Sequence, residues 1–136
     1  RMPALATQAS NAYRRTEAQS RTPLELIVML YDGALRFLAQ ARGAIEQKNI
    51  PARREAISRT LAIVSELQST LAIDTGGAIA ESLDRLYQYI TGLLIDASFK
   101  KDTRPVDEAA RLLTMLRDAW ADIARQALAA PTQAAR

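Results

Sequence analysis

The side chains in this sequence that could perform acid–base or metal chemistry are carboxylates, because the chain contains no histidine and no cysteine. A thiol nucleophile, a thiolate metal site and a disulfide are therefore excluded, and the commonest proton shuttle is missing. The di-iron sites of helical bundles need Glu-x-x-His pairs, which this chain cannot form. We expect no enzyme active site, no metal and no cofactor.

Two pairs of carboxylates lie close together at helical spacing, Asp118 with Asp122 and Glu81 with Asp84. Catalysis by such a pair requires burial that separates the two pKa values. Both pairs have basic neighbours and fall on faces that the apolar pattern leaves outside, so we interpret them as solvated charges. The one glycine pair, Gly76-Gly77, lacks the Lys-Ser/Thr of a phosphate loop and is interpreted as a turn.

The formal net charge of +3 is concentrated at the N-terminus. The first 22 residues carry four arginines and one glutamate, and the remainder carries equal numbers of basic and acidic residues. Nucleic-acid binding would need a basic stripe with aromatic residues on a folded face, whereas Lys100, Lys101 and Arg104 form one loop offset by Asp102. We expect no nucleic-acid partner; binding through the basic N-terminal residues is the alternative.

The apolar runs are too short for a membrane span. The longest unbroken one, Leu26 to Tyr31, is far below the roughly 20 residues that a span requires. The start Arg1-Met2-Pro3 has no apolar region typical of a signal peptide. We therefore expect a protein of the cytosol.

Apolar residues recur at alternating spacings of three and four, which predicts helices packed nearly parallel to their neighbours. Thr22-Pro23-Leu24-Glu25 has the pattern of a capping box with proline at the first helical position, so the first helix begins there. Three short connections make successive helices antiparallel neighbours. The sequence thus predicts an all-α, up-down-up-down four-helix bundle over residues 22–130, with helices at about 23–47, 51–73, 78–98 and 105–129. Residues 1–21 are expected to form a flexible N-terminal arm that could fold back on the bundle, and 131–136 a C-terminal tail.

The first predicted helix is more apolar than one core-facing stripe requires. Its core row includes Leu24, Ile27, Tyr31, Ala34 and Leu38, each at heptad-like spacing. A second apolar row lies one residue before these positions, and a stripe a little over 100° wide is all that such a helix needs. Surplus apolar surface usually marks a binding site, although deep burial or the N-terminal arm would also account for it. The members of the second row are Leu26, Leu30, Gly33 and Phe37.

Two polar or small residues of this helix have alternative interpretations. Gly33 costs about 1 kcal/mol in mid-helix relative to alanine, which indicates either close helix packing within the bundle or room for a partner segment. Asp32 is either a solvated charge or the partner of Arg14 or Arg15 in the arm.

Four segments together resemble one protein family. They are LELIVMLYDGALRFL from Leu24 to Leu38, Ala12-Tyr13 in the arm, LDRLYQYI from Leu83 to Ile90, and LRDAW from Leu116 to Trp120. Their order and spacing resemble the flagellar secretion chaperone FliS family. The resemblance implies a bacterial cytosolic four-helix bundle that binds the disordered C-terminal segment of flagellin, prevents its premature polymerisation and helps deliver it to the flagellar type III export apparatus.

The resemblance also implies a role for the arm, since a tyrosine at the position of Tyr13 can cover the binding surface until flagellin displaces it. Trp120 and Leu86 are expected in the core on their positions in the apolar rows. The alternative function is that of a helical adaptor or regulatory binding module for another protein. The surplus apolar surface could also allow weak self-association. The expected partner-binding residues are Tyr13, Leu26, Leu30, Tyr31, Gly33, Phe37 and Tyr87.

Overall fold

The structure, a computed structural model, describes residues 22–71 and 73–129. In this part of the chain all regular structure is helical, which confirms the predicted all-α class. No helix among the described residues is long and apolar enough to cross a membrane. The four helices are α1 (Pro23–Glu46), α2 (Ile50–Ser69), α3 (Ile73–Phe99) and α4 (Arg104–Ala129).

The helices form a four-helix bundle in which each packs against two neighbours: α1 and α3 both contact α2 and α4. The contacts between α1 and α4 run in opposite directions along the two helices. Asp32 pairs with Arg117, and Arg42, farther along α1, pairs with Asp107, which is earlier in α4. The same reversal relates α2 to α3, in the hydrogen bonds Arg53–Ser98 and Gln68–Asp84.

The start of α1 is fixed by the predicted capping box. The Glu25 amide donates to Thr22 Oγ1 at 3.1 Å, and the Thr22 amide donates to Glu25 Oε1 at 3.0 Å. Pro23 occupies the first turn, where a missing N–H costs no intrahelical hydrogen bond. These reciprocal bonds satisfy two backbone donors that would otherwise lack partners, so the first apolar position of α1 is set by local sequence.

The junction between α2 and α3 differs from the expected bounds. We expected α2 to extend to residue 73, but it ends at Ser69. The hydroxyl of Ser69 donates to the Glu66 carbonyl and that of Thr70 to the Leu67 carbonyl, which satisfies acceptors at the helix end. Helical geometry resumes at Ile73 and is broken at Gly77, whose φ of 62° lies in the left-handed region that favours glycine.

The buried face of α3 agrees only in part with the sequence prediction. Its apolar spacing predicts a core row of Ile79, Leu83, Leu86, Ile90, Leu93 and Ala97. The Ile79 side chain is 75% exposed. Tyr87 and Leu94, which were expected outside that row, are buried. Leu86 is half-buried against the core. Positions 87 and 94 are therefore buried in place of 86 and 93, because Tyr87 and Leu94 fill the centre of the bundle, while Ile90 and Ala97 are buried as expected.

The centre of the bundle is continuous across all four helices. Every helix contributes large, fully buried side chains, and those of α1 and α3 meet in the middle. Trp120, predicted in the core, is half-buried and packs against this cluster. The largest buried side chains are Tyr31, Leu38, Ile57, Val64, Leu67, Tyr87, Ile90, Leu94, Val106 and Leu113.

Candidate protein-binding surface

An open apolar groove runs along the bundle between α1 and α2. The second apolar row of α1 lines it over three helical turns, so residues predicted as a surplus face share one concavity of about 410 Å³. Leu26 is 38% exposed, and Leu30 and Phe37 are half-buried. This surface, called the α1/α2 groove below, is lined by Leu26, Met29, Leu30, Gly33, Arg36, Phe37, Ile63 and Glu66.

Gly33 allows α2 to lie close to α1 at the floor of the α1/α2 groove. A Cβ atom at this position would lie 3.3 Å from Ile63 Cδ1 and 3.6 Å from an Arg36 guanidinium nitrogen. The residue is buried. Tight packing within the bundle therefore accounts for this glycine, and the absence of a side chain also deepens the groove beside Leu30.

Charged groups border the apolar floor of the groove. Arg36 and Glu66 lie on opposite helices and both line it. At one end, the Arg59 guanidinium lies over the Phe37 ring, 5.6 Å from the ring centroid, a distance at which cation–π attraction operates. An apolar floor with charges of both signs at the rim suits one face of an amphipathic helix, whose anchors recur at three- and four-residue spacing.

A second groove of about 330 Å³ lies on the other side of α1, between α1 and α4. Met29 lines both grooves, so the two surfaces meet on the outer face of α1. Across this α1/α4 groove Arg117 Nε donates to Asp32 Oδ1 at 2.8 Å, and this hydrogen bond raises the pKa of Arg117 above its usual value. Asp32 is thus held by Arg117 of α4; Arg14 and Arg15, the alternative partners, lie outside the described residues.

Two of the expected binding residues are not at the surface. Tyr31 and Tyr87 have almost no solvent exposure, and the expectation that they line the surface is wrong. Their hydroxyl groups hydrogen-bond to each other between α1 and α3, and Trp120 packs against the same core cluster. Because the two phenol oxygens hydrogen-bond to each other, tyrosine is tolerated at these two core positions, which are otherwise occupied by apolar residues. Tyr13, the expected gate, lies outside the described residues.

The buried tyrosine pair predicts a loss of stability at alkaline pH. Burial raises the pKa of both Tyr31 and Tyr87 above the usual value, whereas in the unfolded chain both ionise near pH 10. Above that pH the unfolded state releases protons that the folded state retains. The stabilisation is therefore present below pH 10 and is lost as the pH rises above 10 towards the folded pKa values, with a slope of at most about 1.4 kcal/mol per tyrosine for each pH unit.

This alkaline loss is measured by urea unfolding at pH 9, 10 and 11. The double variant Tyr31→Phe/Tyr87→Phe is the control, because it keeps both rings and removes both titrating hydroxyls. The free energy of unfolding of the natural protein should fall more steeply between pH 10 and 11 than that of the variant. Equal slopes would contradict the prediction.

Among the acidic residues singled out in the sequence, Asp84, Asp118 and Asp122 pair with basic or amide side chains. Asp118 and Asp122 are exposed and pair with Arg117 and Arg125, which confirms their interpretation as solvated charges. Asp84 accepts hydrogen bonds from two glutamine side chains. Within the described residues no group of three or more acidic side chains is arranged to hold a metal ion.

The sequence pattern missed the α2 side of the groove and the whole α1/α4 groove. Ile63 is one of several apolar residues of α2, and nothing in a single sequence marks Glu66 as part of a groove. Its position depends on the register of α2 against α1, which the packing of Gly33 on Ile63 helps to set. The small residues Ala121 and Ala124, which line the α1/α4 groove, are likewise indistinguishable from ordinary helix formers.

The fold and the grooves define the class of protein: a four-helix bundle with open apolar grooves of the kind that accept an amphipathic segment. Comparison with known proteins gives the family. The sequence profile described as "Flagellar protein FliS" matches residues 6–127. The chain belongs to the FliS family.

Curated relatives match most of the chain. It is 34% identical over 119 residues to the flagellar secretion chaperone FliSB of Pseudomonas aeruginosa, covering 85% of this chain and 94% of that protein. The flagellar secretion chaperone FliS of Campylobacter jejuni is 36% identical, covering 85% and 90%. That of Vibrio cholerae is 31% identical, covering 82% and 85%. Because the chain covers these proteins almost completely, the similarity extends over all four helices.

Proposed function

We propose that this protein is a flagellar export chaperone of the bacterial cytosol, which binds the disordered C-terminal segment of flagellin and keeps it from polymerising before export. The observation that carries the proposal is the α1/α2 groove. Leu26, Leu30 and Phe37 lie on one row of α1 and remain accessible in this groove, beside the buried core of the bundle. The names of the relatives, flagellar secretion chaperones, support the same role.

Binding in this mode is coupled to folding of the client. A disordered segment loses chain entropy when it becomes helical in a groove, so burial of apolar area must exceed that cost. Leu26, Met29, Leu30 and Phe37 provide apolar contacts over nearly the whole length of the groove. Because Met29 also lines the α1/α4 groove, a long client segment can cross α1 and continue on its other side. The chaperone then delivers the covered segment to the flagellar type III export apparatus.

The test is isothermal titration calorimetry of the full chain with a peptide from the C-terminus of the flagellin of the same organism. A peptide of about 40 residues has enough surface for coupled folding and binding. We expect a 1:1 complex with a strongly negative heat-capacity change, because apolar surface is removed from water on both partners. A scrambled peptide of identical composition is the control. Absence of binding, or equal binding of the scrambled peptide, would rule out flagellin recognition by this surface.

A further inference from the structure

A small pocket lies at the end of the bundle where the α1–α2 and α3–α4 connections meet. It has a volume of about 150 Å³, and a cavity of that volume holds one benzene-sized group. Ala44, Ile45 and Ile50 provide its apolar wall. It shares no lining residue with the α1/α2 groove or the α1/α4 groove, so client binding along α1 does not account for it.

Three cationic side chains line this pocket, and they come from three different segments: Lys48 from the α1–α2 turn, Arg53 from α2 and Lys101 from the α3–α4 connection. None of them pairs with a carboxylate among the described residues. The neighbouring carboxylates are already engaged by other bases, in the pairs Arg42–Glu46, Lys100–Asp96 and Arg104–Asp102. The pocket therefore carries an uncompensated positive charge.

Arg53 is an unusual member of this set because it is only 7% exposed. Its two terminal nitrogens donate to the carbonyls of Ser98, at 2.8 Å, and Lys100, at 3.4 Å. Its Nε is buried without a hydrogen-bond partner in the described part of the chain. A buried guanidinium is normally paired with an anion or fully hydrogen-bonded, and here carbonyl dipoles alone offset its charge.

Backbone groups near the pocket do not neutralise the two lysines. The last carbonyls of α1, at Gly43, Ala44 and Ile45, accept hydrogen bonds from turn amides. The N-terminus of the 20-residue helix α2 begins at Ile50 in the pocket wall, and a helix N-terminus carries partial positive charge. The local field favours an anion.

We propose that this pocket binds a carboxylate carried on an apolar residue of a partner polypeptide. The apolar side chain fills the wall formed by Ala44, Ile45 and Ile50, and the carboxylate lies between Lys48 and Lys101 in the field of Arg53. A free chain terminus with an apolar last residue supplies both groups, and so does an aspartate or glutamate next to an apolar residue.

The test is a titration of the ¹⁵N-labelled full chain with small probes that distinguish these two sources of the carboxylate. Binding is monitored through the amide chemical shifts of the protein. N-acetyl-leucine represents the free terminus and N-acetyl-Asp-Leu-amide the side-chain carboxylate. N-acetyl-leucine amide and inorganic phosphate lack, respectively, the charge and the apolar group. We expect saturable shifts confined to residues 44–53 and 99–102 with at least one carboxylate probe, in roughly the millimolar range for ligands this small.

Replacing both lysines, in Lys48→Gln/Lys101→Gln, should weaken that binding about fivefold, consistent with exposed charge pairs. Both side chains are exposed, so the fold should be retained. Arg54→Gln is the matched control, because Arg54 is an exposed cation of α2 that does not line the pocket, and its affinity should stay unchanged. Equal binding of the amide or of phosphate would overturn the proposal, as would absence of saturation with both carboxylate probes.

Discussion

Replacing Leu26 with glutamate is expected to weaken binding of the flagellin segment about 100-fold, which corresponds to nearly 3 kcal/mol. Burying a leucine against a partner stabilises a complex by about 2 kcal/mol, and placing a carboxylate in the apolar interface adds a desolvation cost. Glu66 lines the same groove, so a second carboxylate there also adds repulsion. The free protein should remain folded because Leu26 is 38% exposed in it.

The matched control is Ile95→Glu, which makes the same change on α3 at a residue that is 48% exposed and lines neither groove. Calorimetry with the flagellin peptide should give an affinity close to that of the unmodified protein. Thermal unfolding followed by circular dichroism should show similar stability for both variants. If Ile95→Glu reduced affinity as much as Leu26→Glu, the α1/α2 groove would not be the principal contact surface.

Replacing Tyr31 with alanine should lower the free energy of unfolding by about 4 kcal/mol, the range seen when a large aromatic side chain is removed from a core. Tyr31 has no solvent exposure, lies in the core cluster and hydrogen-bonds to Tyr87 of α3. The substitution leaves a cavity and also removes the partner of the Tyr87 hydroxyl. Urea unfolding at neutral pH, followed by circular dichroism, measures the change.

Tyr89→Ala is the control for this prediction, because Tyr89 is 54% exposed on α3 and its truncation should cost under about 1 kcal/mol. If Tyr31→Ala does not fold, Tyr31→Phe keeps the ring and removes only the hydroxyl. That variant should lose about 1 to 2 kcal/mol, since the Tyr87 hydroxyl then lacks its buried hydrogen-bond partner. A loss of stability in Tyr89→Ala equal to that in the Tyr31 variants would contradict the assignment of Tyr31 to the core.

Features set by local sequence were predictable. Thr22, Pro23 and Glu25 interact within one helical turn, so the start of α1 follows from the residues themselves. The apolar row containing Leu26 and Phe37 was identifiable because a straight helix presents residues at spacings of three and four on one face. The position of this row beside α2 was not identifiable, because it depends on the register in which α1 packs against α2.

Features set by packing between helices were mispredicted for a physical reason. In α3, Leu86 and Tyr87 are adjacent and both large, so the periodic pattern permits either as a core position. Tyr31 hydrogen-bonds to Tyr87 across the bundle, and this pairing favours burial of Tyr87 and of Leu94 two turns along the helix. Burial of the Tyr87 hydroxyl can be predicted from sequence only when its partner, Tyr31, is known, and the two residues are 56 positions apart.

The one-residue offset between the two rows of α1 limits how this helix can evolve. Each residue advances the helix by about 100°, so inserting a residue in mid-helix would turn Phe37 into the place of Leu38 and move Leu38 out of the core. An apolar residue would still face the core at that position, while Phe37 would leave the row that begins with Leu26 and Leu30. Side chains along α1 can therefore be exchanged one at a time, whereas adding or deleting a residue within the helix would put its two apolar rows out of register.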